Sequence, residues 1–185
     1  MRKSFFSWLL YRCLGWKTEV TVDHPAKYII CLAPHTSNWE FPLGQLYAFA
    51  NGWKINFLMK KEWFLWPLGG LFRSLGGIAV NRSKTQSLTD FLAEEAAHSE
   101  VFHLCITPEG TRSRATEWKK GFYYIAQKAN IPILLYGIDY KRKLIKCTKQ
   151  IIPTGNINQD LAILNDYYKE FVAKHPENFA LDGSL

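Results

Sequence analysis

Two short stretches of this sequence carry side chains able to do chemistry: His35 with Glu40 five positions on, and Pro108-Glu-Gly-Thr-Arg-Ser113. A histidine whose Nδ1–H is held by a carboxylate keeps Nε2 free as a base near neutral pH. The spacing alone is a weak signal, because five His and sixteen acids in 185 residues give roughly 0.4 such pairs by chance. On a regular helix the two would point about 140° apart, so they meet only if His35 precedes a helix and folds back over its first turn. Pro34 before it and the N-cap types Thr36, Ser37 and Asn38 after it permit that. Taken alone, a structural histidine with both ring nitrogens satisfied fits these letters as well. The second stretch has the makings of an anion cradle. Gly110 lets a backbone come close to a ligand, Thr111 offers a hydroxyl, and Arg112 offers a two-pronged donor for phosphate oxygens. Glu109 is read as the residue that orients those donors. A tight turn with a surface Arg is the competing reading.

The elements that must position these residues alternate. Residues 27–33 form an apolar, β-leaning run stopped by Pro34, so His35 follows a buried strand directly. A helix is expected over 39–49, a strand over 55–59 ending at Lys60, and another over 77–80 ending before Asn81 and Arg82. Residues 87–99 read as a helix with Leu88, Phe91, Leu92 and Ala96 on one stripe. A strand over 101–106 runs into the Glu109 loop; a helix over 119–129, a strand over 131–138, a basic strand or hairpin over 141–152 and a helix over 158–174 complete the chain. This order implies a single α/β domain over 1–185, with a mostly parallel central sheet flanked by helices. In such sheets ligands bind where strands end, and the His35, Arg82 and Glu109 segments each follow a strand.

Bulk properties narrow the partners. The formal charge is +7, and the first 92 residues carry eleven Lys/Arg against five Asp/Glu, which suits a phosphate-bearing partner. Phe, Trp and Tyr make up 15% of the chain, with seven Trp. Residues 4–16 read as a short amphipathic helix, basic and aromatic, so 1–18 is a candidate membrane-interface segment; a helix packed on the domain is the other reading. Residues 63–80 are the most apolar stretch, but their Gly-Gly pairs and Pro67 argue against a spanning helix. A nucleic-acid partner would rest on charge and aromatics only, and none is expected. The four scattered cysteines offer neither a disulfide framework nor a zinc signature, so no metal is expected.

With those elements in place, the letters become recognisable. Ala33-Pro-His-Thr-Ser-Asn-Trp-Glu40 resembles the first sequence block of the glycerolipid and lysophosphatidic acid acyltransferase family, a His followed after four residues by an acid. Gly76-Gly-Ile-Ala-Val-Asn-Arg82 resembles the second block, Thr107-Pro-Glu-Gly-Thr-Arg-Ser113 the third and Ile131-Pro-Ile133 the fourth, all in family order, over a motif-bearing core of about residues 28–138. The resemblance implies transfer of an acyl group from acyl-CoA or an acyl carrier protein to the hydroxyl of a lysolipid, most simply 1-acylglycerol 3-phosphate. It implies His35 as general base, Glu40 as its orienting acid, and Arg82, Glu109, Gly110, Thr111 and Arg112 at the acceptor headgroup, with Lys60 adding charge. It implies no cofactor beyond the donor thioester, and a peripheral or monotopic place at the cytoplasmic face of the cell membrane.

Two departures stand out. The family's first block ordinarily ends in Asp where this chain has Glu40, and Asn81 stands where Asp is common before the Arg. The extra methylene moves a carboxylate by about 1 Å, enough to cost ~10²-fold if the backbone does not adjust; an adjusted backbone is expected. The same chemistry on a hydroxylated amino-acid lipid or another lysolipid, and a lipid-binding relative with weak catalysis, are the alternatives.

Overall fold

The computed structural model describes residues 2–65, 67–80 and 85–183. Among them the strands are β1 (Lys17–Val20), β2 (Lys27–Leu32), β3 (Asn56–Lys60), β4 (Gly77–Val80), β5 (Phe102–Ile106), β6 (Ile133–Asp139) and β7 (Leu144–Ile151). The helices are α1 (Arg2–Ser7), α2 (Glu40–Asn51), α3 (Gly69–Ser74), α4 (Thr85–His98), α5 (Gly121–Ala129) and α6 (Ile157–Tyr168). The strands form one sheet in the order β1-β7-β6-β2-β5-β3-β4. Neighbours are parallel except β6 and β7, which form an antiparallel hairpin. The α/β architecture expected from the alternation is therefore the one observed.

Period-2 alternation splits the core between the two faces of the sheet. Ile29 and Cys31 of β2 face a cluster with Leu92 and Ala96 of α4, Phe122 and Ala126 of α5, and Leu161 and Leu164 of α6. Tyr28 and Ile30 face the opposite cluster, with Leu43 and Tyr47 of α2 and Leu10 from the N-terminal helix. The helices after β2 and β5 thus leave for opposite faces, although the two strands are adjacent and parallel. A crevice opens between their C-terminal ends, the topological switch point at which α/β sheets bind ligands.

Three local readings need correction. The closing helix stops at Tyr168 rather than 174: the Phe171 ring lies so close to Gly137 that a Cβ there would fall 2.0 Å from it, and Val172 N–H turns to Asp139 Oδ2 at 3.0 Å. Residues 169–183 therefore run as a strap, not a helix. Phe91 is left exposed while Leu92 and Ala96 turn inward, so the apolar stripe of α4 is narrower than its letters imply. The N-terminal helix is α-helical only to Ser7 and continues as a wider π turn over Trp8–Cys13. It satisfies both readings of residues 4–16: Leu10 is buried and Phe6 meets Phe49 of α2 at 5.1 Å, whereas Phe5 and Trp8 stay exposed. No helix among the described residues is long and apolar enough to cross a membrane.

Candidate active site

The loop after β2 and the loop after β5 build one cluster at the crevice. Glu40 begins α2, and its carboxylate reaches back over the helix start, where the helix dipole favours negative charge. Its Oε2 accepts the Ser37 N–H at 2.9 Å, and its Oε1 lies 3.4 Å from the Thr36 nitrogen. The same Oε2 lies 2.9 Å from His35 Nδ1, with Glu40 only 1% exposed and the His35 side chain 20% exposed. The separation is that of a hydrogen bond, but the alignment is not: Nδ1 is buried and has no well-directed acceptor among the described residues. Contacts of this kind in an unliganded site are often poorly aligned and tighten when a ligand binds.

Glu109 fixes His35 from the other loop. Its Oε1 accepts the His35 main-chain N–H at 2.8 Å, and its Oε2 is buried without a partner among the described residues. Burial pushes this carboxyl up from its ordinary value to about 7; the two main-chain N–H donors and the nearby His35 oppose the rise, and the charge of Glu40 adds to it. The acid expected to orient the cradle donors is thus seen to grip the first loop instead. Gly110 has φ +65, in the left-handed region that glycine adopts without strain, and its N–H closes a turn onto Thr107 O at 3.1 Å. That turn aims Arg112 back across the crevice, where its Nη1 donates to Asn38 Oδ1 at 2.5 Å. Thr111 Oγ1 accepts from Ser113 N–H at 3.2 Å, so its hydroxyl proton stays available.

Beside this cluster lies an open cavity of ≈ 330 Å³, lined by Thr36, Ser37, Asn38, Arg112 and Ser113 together with His175 and Asn178 of the strap. Lys60 is exposed at the end of β3, on the same rim but outside this wall. Arg82 lies outside the described residues, two positions past the end of β4. Sequence reading had no access to Asn38, His175 or Asn178: Asn38 meets Arg112 and His175 meets Thr36 across long stretches of chain, Asn178 reaches the cavity only with the strap, and an Asn or His in a polar loop carries no local signal. Lys174, next to His175, stands over the Trp39 ring at 5.1 Å and the Tyr140 ring at 5.8 Å. Among the described residues no group of His, Cys, Asp and Glu has the arrangement of a metal site.

Residues 17–138 match the Acyltransferase family. A 1-acyl-sn-glycerol-3-phosphate acyltransferase of Saccharomyces cerevisiae is 29% identical over 185 aligned positions, which cover 83% of this chain and 60% of the yeast protein. This chain therefore matches only about three fifths of that relative's length. The crystal structure of the 1-acyl-sn-glycerophosphate (LPA) acyltransferase PlsC from Thermotoga maritima shares the fold, with a TM-score of 0.59 at 19% identity over 90% of this chain and 76% of that one.

Proposed function

This chain belongs to the acyltransferase family, and from that premise we propose that it moves a fatty acyl group from a thioester donor, acyl-CoA or an acyl carrier protein, to the free hydroxyl of a lysolipid, 1-acylglycerol 3-phosphate being the favoured acceptor. His35 Nε2 takes the acceptor's hydroxyl proton as the oxygen attacks the thioester carbonyl. The C–O bond forms, the C–S bond breaks, and the proton passes to the departing thiolate. Glu40 holds Nδ1–H through that cycle, so the imidazolium formed midway has a carboxylate beside it. Glu109 positions the residue by its main chain. Arg112, braced by Asn38, binds the anionic headgroup, with Lys60 adding positive charge along the rim and Arg82 assigned to the headgroup by its sequence block alone. No covalent enzyme intermediate is required.

The observation that carries this reading is the 2.9 Å approach of the buried Glu40 carboxylate to Nδ1 of a partly open His35, beside a cavity walled by Arg112. A place at the membrane surface follows from the exposed apolar groups. Phe5 and Trp8 pair at 6.3 Å on the outer face of the N-terminal helix, and Trp63, Leu65, Leu68 and Leu71 are exposed in the segment that packs through Phe72 on Phe41 of α2, next to Glu40. We place that surface at the cytoplasmic face of the cell membrane. The test is product analysis by mass spectrometry with purified protein, acyl donors and a panel of lysolipids. The wild type should acylate 1-acylglycerol 3-phosphate, and His35→Ala should lower turnover by ~10²–10⁴ with an unchanged circular dichroism spectrum. A His35→Ala variant as active as the wild type refutes the assignment.

A further inference from the structure

The strap lies outside the region that matches the family, yet it forms one wall of the cavity. Its path is fixed on both sides of that wall. Upstream, Tyr140 N–H donates to Val172 O at 2.9 Å and Val172 N–H to Asp139 Oδ2 at 3.0 Å. Downstream, Trp118 Nε1–H donates to Ala180 O at 3.0 Å, Arg114 Nη1 to Phe179 O at 3.3 Å, and Gly183 N–H to Thr116 O at 2.7 Å. At the wall itself, His175 N–H donates to Thr36 Oγ1 at 3.2 Å, tying the strap to the residue next to His35. Between these anchors Pro176–Asn178 form a single 3-10 turn, with Pro176 at its start and Asn178 N–H bonded to His175 O at 3.0 Å. His175, just before that turn, and Asn178, its last residue, both line the cavity.

The walls say what the cavity can hold. Every lining side chain is polar, and none is a carboxylate. The nearest strap acid, Glu177, is outside the lining, with its Oε1 3.6 Å from His175 Nδ1. A space of ≈ 330 Å³ with such walls suits a small polar headgroup and not an acyl chain. Arg112 spends one N–H on Asn38 Oδ1, which leaves the rest of its fork and the Asn38 amide N–H groups as donors. In the same lining, the His175 ring and the Asn178 amide add further donors for a phosphate.

We propose that His175 and Asn178 are headgroup-binding residues of the acceptor site, holding a glycerol-phosphate headgroup in the cavity they line together with Arg112. This rests on the acyltransferase reading and adds to it a specificity element carried by the C-terminal strap. The strap's anchoring makes the two residues a fixed wall, not a lid, so their effect falls on the acceptor and not on the thioester donor.

The test titrates glycerol 3-phosphate into wild type, Arg112→Ala and the double variant His175→Ala/Asn178→Ala by calorimetry, and measures KM for 1-acylglycerol 3-phosphate and for the acyl donor. The double variant should bind glycerol 3-phosphate about tenfold more weakly, as loss of bonds to a charged ligand implies, and raise the acceptor KM but not the donor KM. Asn178→Asp should weaken binding more than Asn178→Ala, because it sets a carboxylate against the phosphate; a merely structural role predicts no such order. If Arg112→Ala weakens binding and the double variant does not, the strap proposal is overturned and the acyltransferase reading stands. If the double variant loses binding while the wild type acylates no lysolipid, the headgroup site stands and the transfer reading falls. Absence of glycerol 3-phosphate binding by the wild type overturns the headgroup assignment altogether.

Discussion

Replacing Glu40 by Asp puts the family's usual acid into this chain, and the structure says that it should be harmful here. The Glu40 carboxylate does two things at once: Oε2 sits 2.9 Å from His35 Nδ1 and 2.9 Å from the Ser37 nitrogen, whose N–H it accepts. Removing one methylene withdraws the oxygens by about 1 Å, which takes both contacts to roughly 4 Å, beyond hydrogen-bond range. An aligned hydrogen bond from His35 Nδ1–H to a charged Glu40, formed when substrate is bound, would be worth about 1.5–3 kcal/mol, and the shorter acid cannot form it, so kcat should fall about 10- to 100-fold. The Ser37 main-chain N–H, in a buried residue, loses its acceptor, which costs roughly 1–3 kcal/mol of stability. The assay is thiol release from acyl-CoA in the presence of 1-acylglycerol 3-phosphate, run beside thermal unfolding. Glu40→Gln is the control. It keeps the length and an oxygen for Ser37 and gives up only the longer 3.4 Å contact with the Thr36 nitrogen, so Tm should fall less than in Glu40→Asp while kcat drops through loss of the charge beside the imidazolium. A Glu40→Asp protein with kcat equal to or above that of the wild type would refute the reasoning, because it would show that the loop is already set for the shorter acid. A lowered Tm with kcat intact would reduce Glu40 to a brace of the loop.

Two further outcomes follow from the same geometry. Glu109 carries a raised carboxyl value, so the folded state holds its proton more tightly than the unfolded chain; the stability this contributes is complete below about 4.5 and is lost as pH rises through about 7. Wild type should therefore lose up to ~3 kcal/mol relative to Glu109→Gln across that window, read by urea unfolding at a series of pH values, and parallel curves would contradict it. Phe5→Ser/Trp8→Ser, on the outer face of the N-terminal helix, should reduce co-sedimentation with anionic vesicles about tenfold without altering Tm, and undiminished sedimentation would remove that face from the membrane contact.

Much of the frame was legible because it is periodic. Residues 27–33 and 101–106 read as buried strands, and β2 and β5 occupy them within a residue or two at each end. β1 went unread: all but one of its four residues are exposed, and its partner β7 lies over a hundred residues away. The end of α6 went unread for a related reason, since what stops it is Phe171 settling against Gly137 and Val172 turning to Asp139, neither of which is local. In the site, the pairing of His35 with Glu40 could be reasoned from five positions of sequence, given Pro34 and a helix start. The destination of Glu109 could not. Its letters sit in a loop of donors, and only the adjacency of β2 and β5 reveals that the nearest unpaired donor is the main-chain N–H of His35.

That adjacency explains why the arrangement holds the His35 imidazole firmly. One contact to a histidine ring leaves the residue free to swing about its backbone, and one contact to the backbone leaves the ring free to turn. Here Glu40 faces the ring and Glu109 holds the main chain, so both freedoms are reduced by acids from two loops that the sheet places side by side. The helices that follow those loops depart to opposite faces, so neither fills the crevice that a substrate must enter. The arrangement has a cost: two carboxyls share one small volume, and the Oε2 of Glu109 is buried with no partner among the described residues. A buried polar atom without a partner costs roughly 1–3 kcal/mol, and the raised value of the Glu109 carboxyl has the same origin in burial and in the charge of Glu40. Tight positioning thus carries a stability cost at Glu109, which is why a glutamine at 109 should stabilise the fold above pH 7 even as it alters the charge beside His35.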